Sequence, residues 1–99
     1  MTVKDAVSEY LNYIENVQSL AKNTVMSYSS DLEQFKAFIG EDKEMHTITL
    51  EELRRCVSIL SRKQRASASI NRFIVSVHKL FAYCRKWGYI KNNVAIELK

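Results

Sequence analysis

The chain has 99 residues, 46% hydrophobic and 26% charged, with a formal net charge of +4. That is one domain of soluble, globular composition, which excludes a disordered polymer, and no apolar run is long enough for a membrane span. No proline and only two glycines argue against a turn-rich β fold, and two cysteines 28 apart exclude a CxxC or zinc framework. Met1-Thr2-Val3-Lys4-Asp5 lacks the cationic and apolar regions of a signal peptide, so a small, cytoplasmic, all-helical protein is expected.

The first helix is expected from about Val3 to Val17, with Val3, Ala6, Val7, Tyr10, Leu11, Ile14 and Val17 on one face. Thr2 is its N-cap, and Asp5 suits the positive end of the helix dipole. Leu20 tucks into the core from a short connection. The second helix spans about Lys22 to Ile39, with Val25, Tyr28, Leu32, Phe35, Phe38 and Ile39 inward and Gly40 as a left-handed terminator. Glu41 to His46 reads as a polar, exposed loop. Thr49-Leu50-Glu51-Glu52 is a capping box, and Ile48 staples onto Leu53. The third helix turns Leu50, Leu53, Val57 and Leu60 inward, flanked by Cys56 and Ile59, and ends near Ser61. Arg62 to Ala66 is a basic connector. The fourth helix runs from about Ser67 to Trp87, with Ile70, Phe73, Ile74, Val77, Phe81 and Cys84 buried and Gly88 ending it. Trp87 and Tyr89 clamp that end, and Ala95 to Lys99 starts a short fifth helix. The last residues carry neither cap nor polar tail, as in a domain cut from a longer protein.

The charges are segregated. Residues 1–53 carry four cations and ten anions, a sum of −6; residues 54–99 carry eleven cations and one anion, a sum of +10. A polarity of this size is a statement about partners, and nucleic acid is the commonest polyanion in a cytoplasm. At ~100° per residue, Arg65, Ser69, Arg72, Ser76, Lys79, Tyr83 and Lys86 line the side of the fourth helix nearly opposite its apolar stripe. Cations neutralise phosphates, and short hydroxyls let a backbone approach and donate. Ser67 through Lys91 contains no acid, whereas a merely solubilising face mixes Glu with Lys. Lys22, Asn23, Thr24, Ser27 and Tyr28 gather donors at the start of the second helix, where either a phosphate or ordinary capping accounts for them. Cys56 and Cys84 read as buried, inert thiols, His46 as a titrating surface residue, and His78 as exposed or touching a phosphate. No catalytic set, metal site or cofactor motif is present in the sequence.

Four stretches carry a family likeness. Leu20-Ala21-Lys22-Asn23-Thr24-Val25-Met26-Ser27-Tyr28-Ser29-Ser30-Asp31-Leu32-Glu33-Gln34-Phe35 resembles the LSxxTxxxYxxDLxxF segment of phage-integrase-like tyrosine recombinases. Ser67-Ala68-Ser69-Ile70-Asn71-Arg72-Phe73, Leu80-Phe81-Ala82-Tyr83-Cys84 and Trp87-Gly88-Tyr89-Ile90-Lys91-Asn92-Asn93 resemble the rest of their N-terminal, SAM-like core-binding domain, in order. Ala21 stands where the family has a capping serine, Ser69 where it has threonine, and Val94 where it has proline.

The resemblance implies a compact four-helix orthogonal bundle over residues 1–99, half of a C-shaped clamp on double-stranded DNA. The second and fourth helices would face the major groove and flanking phosphates. Carried over by position, the contacts are Lys22, Asn23, Thr24, Ser27 and Tyr28, then Arg65, Ser67, Ser69, Arg72, Ser76 and Lys79, and Asn71 joins them as a candidate DNA contact. Arg72 and Asn71 are placed for base readout, and Lys79, Lys22 and Arg65 for phosphates. The implied partners are the C-terminal catalytic domain of the same protein, which lies outside this chain, and other recombinase protomers, with no membrane and no cofactor. None of the five tyrosines is assigned as the nucleophile. Two other readings fit the sequence: a helix-turn-helix regulator, against which the long connections weigh, and a helical protein-interaction domain of the death-fold or SAM type, which the −6/+10 split also suits.

Overall fold

Thr2 accepts a hydrogen bond from the Asp5 amide at 3.2 Å, and from that cap α1 runs Val3–Asn16. In the computed structural model, which describes residues 1–63 and 65–99, three further helices follow among the described residues: α2 (Lys22–Ile39), α3 (Leu50–Arg62) and α4 (Ser67–Lys86). Short 3-10 turns lie at Met45–Thr47 and Val94–Glu97. The result is an all-α bundle, as expected. Arg62 closes α3 rather than opening a connector, and Gln64 of that expected connector lies outside the described residues.

One core joins all four helices. Val3, Ala6, Val7, Tyr10 and Ile14 of α1 meet Leu32 and Phe35 of α2, Leu53, Cys56 and Leu60 of α3, and Phe73, Ile74, Val77, Leu80, Phe81 and Cys84 of α4. Phe35 and Phe81 pack edge to face at 6.1 Å between ring centres, and Phe38 meets Phe73 at 6.4 Å. Each such buried side chain contributes about 1.5–3 kcal/mol. The capping box at Thr49 forms in both directions, Glu52 amide to Thr49 Oγ1 at 3.1 Å and Thr49 amide to Glu52 Oε1 at 3.0 Å. That amide bond, helped by Lys43, holds the Glu52 carboxyl below its usual range.

Several local expectations are corrected. Val17 caps α1 with its side chain 67% exposed, outside the stripe. Gly40 ends α2 at φ +108° and ψ 128°, a conformation glycine enters without steric cost but not the left-handed helical well. The loop after it is not simply polar and exposed: Met45 is buried, and its amide donates to the Met1 carbonyl while the Val3 amide donates to that of Lys43. The fifth helix is the 3-10 turn Val94–Glu97, which seats Ala95 and Leu98. His78 is half-buried rather than exposed, with Nε2 at 2.8 Å from the Leu98 carbonyl, so it latches the tail.

Candidate nucleic-acid interface

Ala21 and Ala66 start α2 and α4, and neither offers a side-chain cap; neither first turn holds an acid. The amides at both helix starts therefore lack the local partners that capping residues supply. Ordinary capping does not explain the donors around Lys22. Lys22 and Asn23 are exposed, whereas Thr24 and Ser27 are half-buried. Tyr28 is also half-buried and packs against the core. The start of α2 thus presents two of its five expected contact residues fully to solvent.

On α4, Arg65 just before it and Ser67, Ser69, Asn71, Arg72 and Lys79 on it are exposed. Ser76 is not: it is 0% exposed and buried against α2. The expected outward stripe therefore breaks at its middle. Ser76 Oγ donates to Asp31 Oδ2 at 2.8 Å, and Arg72 donates to the same carboxylate through Nε and Nη2, both at 2.9 Å. Asp31 is 1% exposed, a buried carboxylate carrying three hydrogen bonds from α4. Its hydrogen bonds and charge raise the Arg72 pKa. Arg72 is thus a paired cation, not the free one that the sequence implied.

Asp31 has no site role in the sequence reading, although a signal exists. It lies on the inward face of α2 between Tyr28 and Phe35, and an acid there demands a donor set. The groove over this cluster is lined by Ser30 and Gln34 of α2, Arg65, and Ser69, Arg72 and Phe73 of α4. A second groove takes Lys22 together with Leu20, Val25, Met26 and Ser29, and Ser30 borders it as well. Ser30 is therefore common to the groove at Lys22 and the groove at Arg65.

Lys79 sits apart from these, with Lys86 beside Tyr10, Tyr13, Gln18 and Tyr83. Tyr83 is half-buried in an aromatic cluster, 5.0 Å from Tyr13 and 5.3 Å from Tyr10 between ring centres, and donates to Glu9 Oε2 at 3.1 Å. Trp87 and Tyr89 lie 6.3 and 6.4 Å from it, a clamp at the helix end as expected. Lys86 stands over the Trp87 ring at 5.7 Å. Burial first, then Glu9, pushes the Tyr83 hydroxyl up to about 12, and burial pushes Tyr10 up to about 12. Both are poorly suited to act as nucleophiles near neutral pH. The thiols are likewise pushed up by burial, Cys56 to about 11 and Cys84 to about 12, which makes them inert.

The ion pairs decide how the charge segregation survives folding. In residues 1–53, Lys36 pairs with Glu33 at 3.0 Å, Lys43 with Glu52 at 3.2 Å, and the N-terminal ammonium with Glu44 at 3.0 Å. Of the eleven cations in residues 54–99, only Arg72 lies within 4.0 Å of a carboxylate, among the described residues. Within residues 1–53 two of the four lysines are thus paired, Lys4 and Lys22 having no carboxylate within 4.0 Å among the described residues, while the basic half keeps nearly all of its charge unpaired. No group of three or more His, Cys, Asp or Glu among the described residues is placed to hold a metal ion, and no described helix is long and apolar enough to cross a membrane.

Residues 7–88 match the family described as phage integrase, N-terminal SAM-like domain. The chain is 30% identical over 95 residues to tyrosine recombinase XerD of Staphylococcus epidermidis, covering 92% of this chain and 32% of that protein. It is 24% identical over 93 residues to tyrosine recombinase XerC of a Roseiflexus species, covering 92% and 30%. Against XerD of Listeria monocytogenes the identity is 20% over 100 residues, covering 98% and 34%. The chain spans about a third of the length of these curated relatives. No solved structure matches it.

Proposed function

The chain belongs to the phage-integrase N-terminal SAM-like domain family, and from that premise we propose that it is the DNA-gripping module of a site-specific tyrosine recombinase. One observation carries the proposal: ten of the eleven cations in residues 54–99 have no carboxylate partner within 4.0 Å, among the described residues. A surface left so charged after folding draws a polyanion, and each phosphate it neutralises releases counterions from the duplex.

In this reading α4 and the start of α2 lie along duplex DNA as half of a clamp. Lys22, Arg65 and Lys79 neutralise phosphates, with Asn23, Ser67 and Ser69 as short donors beside them. Thr24 supports that approach from the first turn of α2. Asn71 and Arg72 reach for base edges, Arg72 as a held donor rather than a loose charge. Ser76, Ser27 and Tyr28 shape the scaffold beneath. Relatives about three times this length are tyrosine recombinases; in this reading a catalytic domain of the same protein would close the clamp and carry strand cleavage, and other protomers would assemble on the same DNA. The raised Tyr10 and Tyr83 hydroxyls support assigning neither of these two as a nucleophile.

Fluorescence anisotropy on a labelled duplex across a salt series tests this. The chain is expected to bind with Kd on the order of 10⁻⁴–10⁻⁶ M near physiological salt, and log K should fall linearly with log salt at a slope of about −3 for the three phosphates met by Lys22, Arg65 and Lys79. Self-association with no duplex affinity, even at low salt, points instead to a protein-interaction module and sinks the proposal.

A further inference from the structure

The contact between α2 and α4 contains a carboxylate set directly beneath the most basic helix, which the charge pattern alone does not explain. Asp31 is 1% exposed and accepts Arg72 Nε, Arg72 Nη2 and Ser76 Oγ at 2.9, 2.9 and 2.8 Å. A guanidinium has five N–H donors in a rigid plane. Asp31 takes one from Nε and one from Nη2, so both donors on Nη1 and one on Nη2 stay open. Nη1 and Nη2 form the end edge of the fork, whose spacing fits two adjacent acceptors such as O6 and N7 of guanine. The Arg72 side chain is 45% exposed and that of Asp31 only 2%. The inner edge is therefore the held one, and the rest of the side chain borders the groove shared with Arg65 and Ser69.

Resting on the reading that this groove meets a duplex, the geometry points to Asp31 as a positioning residue that presents the end edge of Arg72 to a guanine, with Ser76 fixing Asp31 in turn. The pair carries no net charge, so Arg72 adds little to counterion release and its value to a duplex is directional. Neutralising Asp31 then moves two quantities in opposite directions. The face gains a unit of positive charge and holds any duplex at least as tightly. The guanidinium loses its bidentate anchor and with it the guanine preference, because an asparagine there turns an amide donor toward other donors. A clip that merely joins α2 to α4 lowers stability on Asp31→Asn and leaves base preference unchanged.

The test uses the 99-residue chain, a duplex pool with a short randomised core at low salt, and a duplex of A·T pairs alone for general affinity. Wild type is expected to enrich guanine at one position by about tenfold. Asp31→Asn and Arg72→Lys each bring that enrichment to within about twofold while other positions keep theirs. Asp31→Asn binds the A·T duplex no more weakly than wild type. Guanine enrichment that persists in folded Asp31→Asn overturns the proposal; if that variant fails to fold, persistence of wild-type enrichment in Ser76→Ala does so. A wild type that binds the A·T duplex but shows no guanine preference dependent on Arg72 sinks this proposal alone. A wild type that binds no duplex removes the proposed function along with it.

Discussion

Arg72→Ala and Lys79→Glu separate two kinds of cation on one helix. Removing Arg72 strips Asp31 of two of its three hydrogen bonds and leaves a carboxylate that is 1% exposed with Ser76 alone. Breaking a fully buried ion pair costs about 3–5 kcal/mol. The Arg72 side chain is 45% exposed, so water enters the space it leaves and partly resolvates Asp31. That reduces the expected cost to about 2 kcal/mol, within the range for a charged group stripped of its partner. For a domain of this size the melting temperature falls by about 8–16 °C. Lys79 is exposed and lies within 4.0 Å of no carboxylate, among the described residues. Lys79→Glu should stay within about 0.5 kcal/mol of wild type in stability. It should also weaken duplex binding and flatten the salt slope by about 1. Thermal unfolding by far-ultraviolet circular dichroism reads both variants. An Arg72→Ala chain melting within about 2 °C of wild type refutes a structural role for the Asp31 pair.

Two further outcomes are expected. Phe73→Ala, at a side chain 2% exposed against Phe38, should cost about 3–5 kcal/mol in chemical denaturation; a change under about 1 kcal/mol contradicts the register of α4. Tyr10 and Tyr83 are raised to about 12 against about 10 in the unfolded chain, so the folded state favours the protonated form. Their contribution to stability is complete below pH ~10 and is lost as pH rises toward ~12. Thermal unfolding followed by circular dichroism should therefore show stability falling above pH ~10, and a chain whose stability is the same at pH 9 and 12 is incompatible with this burial.

Wherever burial follows a regular period, the sequence told the structure. The α1 cap at Thr2, the limits of α2, the capping box at Thr49 and the stop at Gly88 are local signals, and each lies where it was expected. The outward stripe of α4 failed at Ser76 for a geometric reason. Ser76 lies ~40° round the helix from Leu80 and ~60° from Phe73, both buried. With Leu80 left off the apolar stripe, the buried arc looks narrower than it is. Asp31 was legible as an anomaly, an acid between inward residues, but its partner is 41 positions away. Pairing at that distance leaves no trace in periodicity. The same holds for Met45, held by the Met1 carbonyl, and for the tail, where Ile90, Ala95 and Leu98 follow no helical spacing.

Whether the unpaired cations of residues 54–99 face a duplex is tested most directly by titrating a short duplex into the isotopically labelled chain at low salt and following amide resonances. The largest shifts should fall at Lys22 to Thr24, at Arg65 to Arg72 and around Lys79. Shifts confined to the acidic segments around Asp5 to Glu15 and Glu41 to Glu52, or none at all, would contradict that placement.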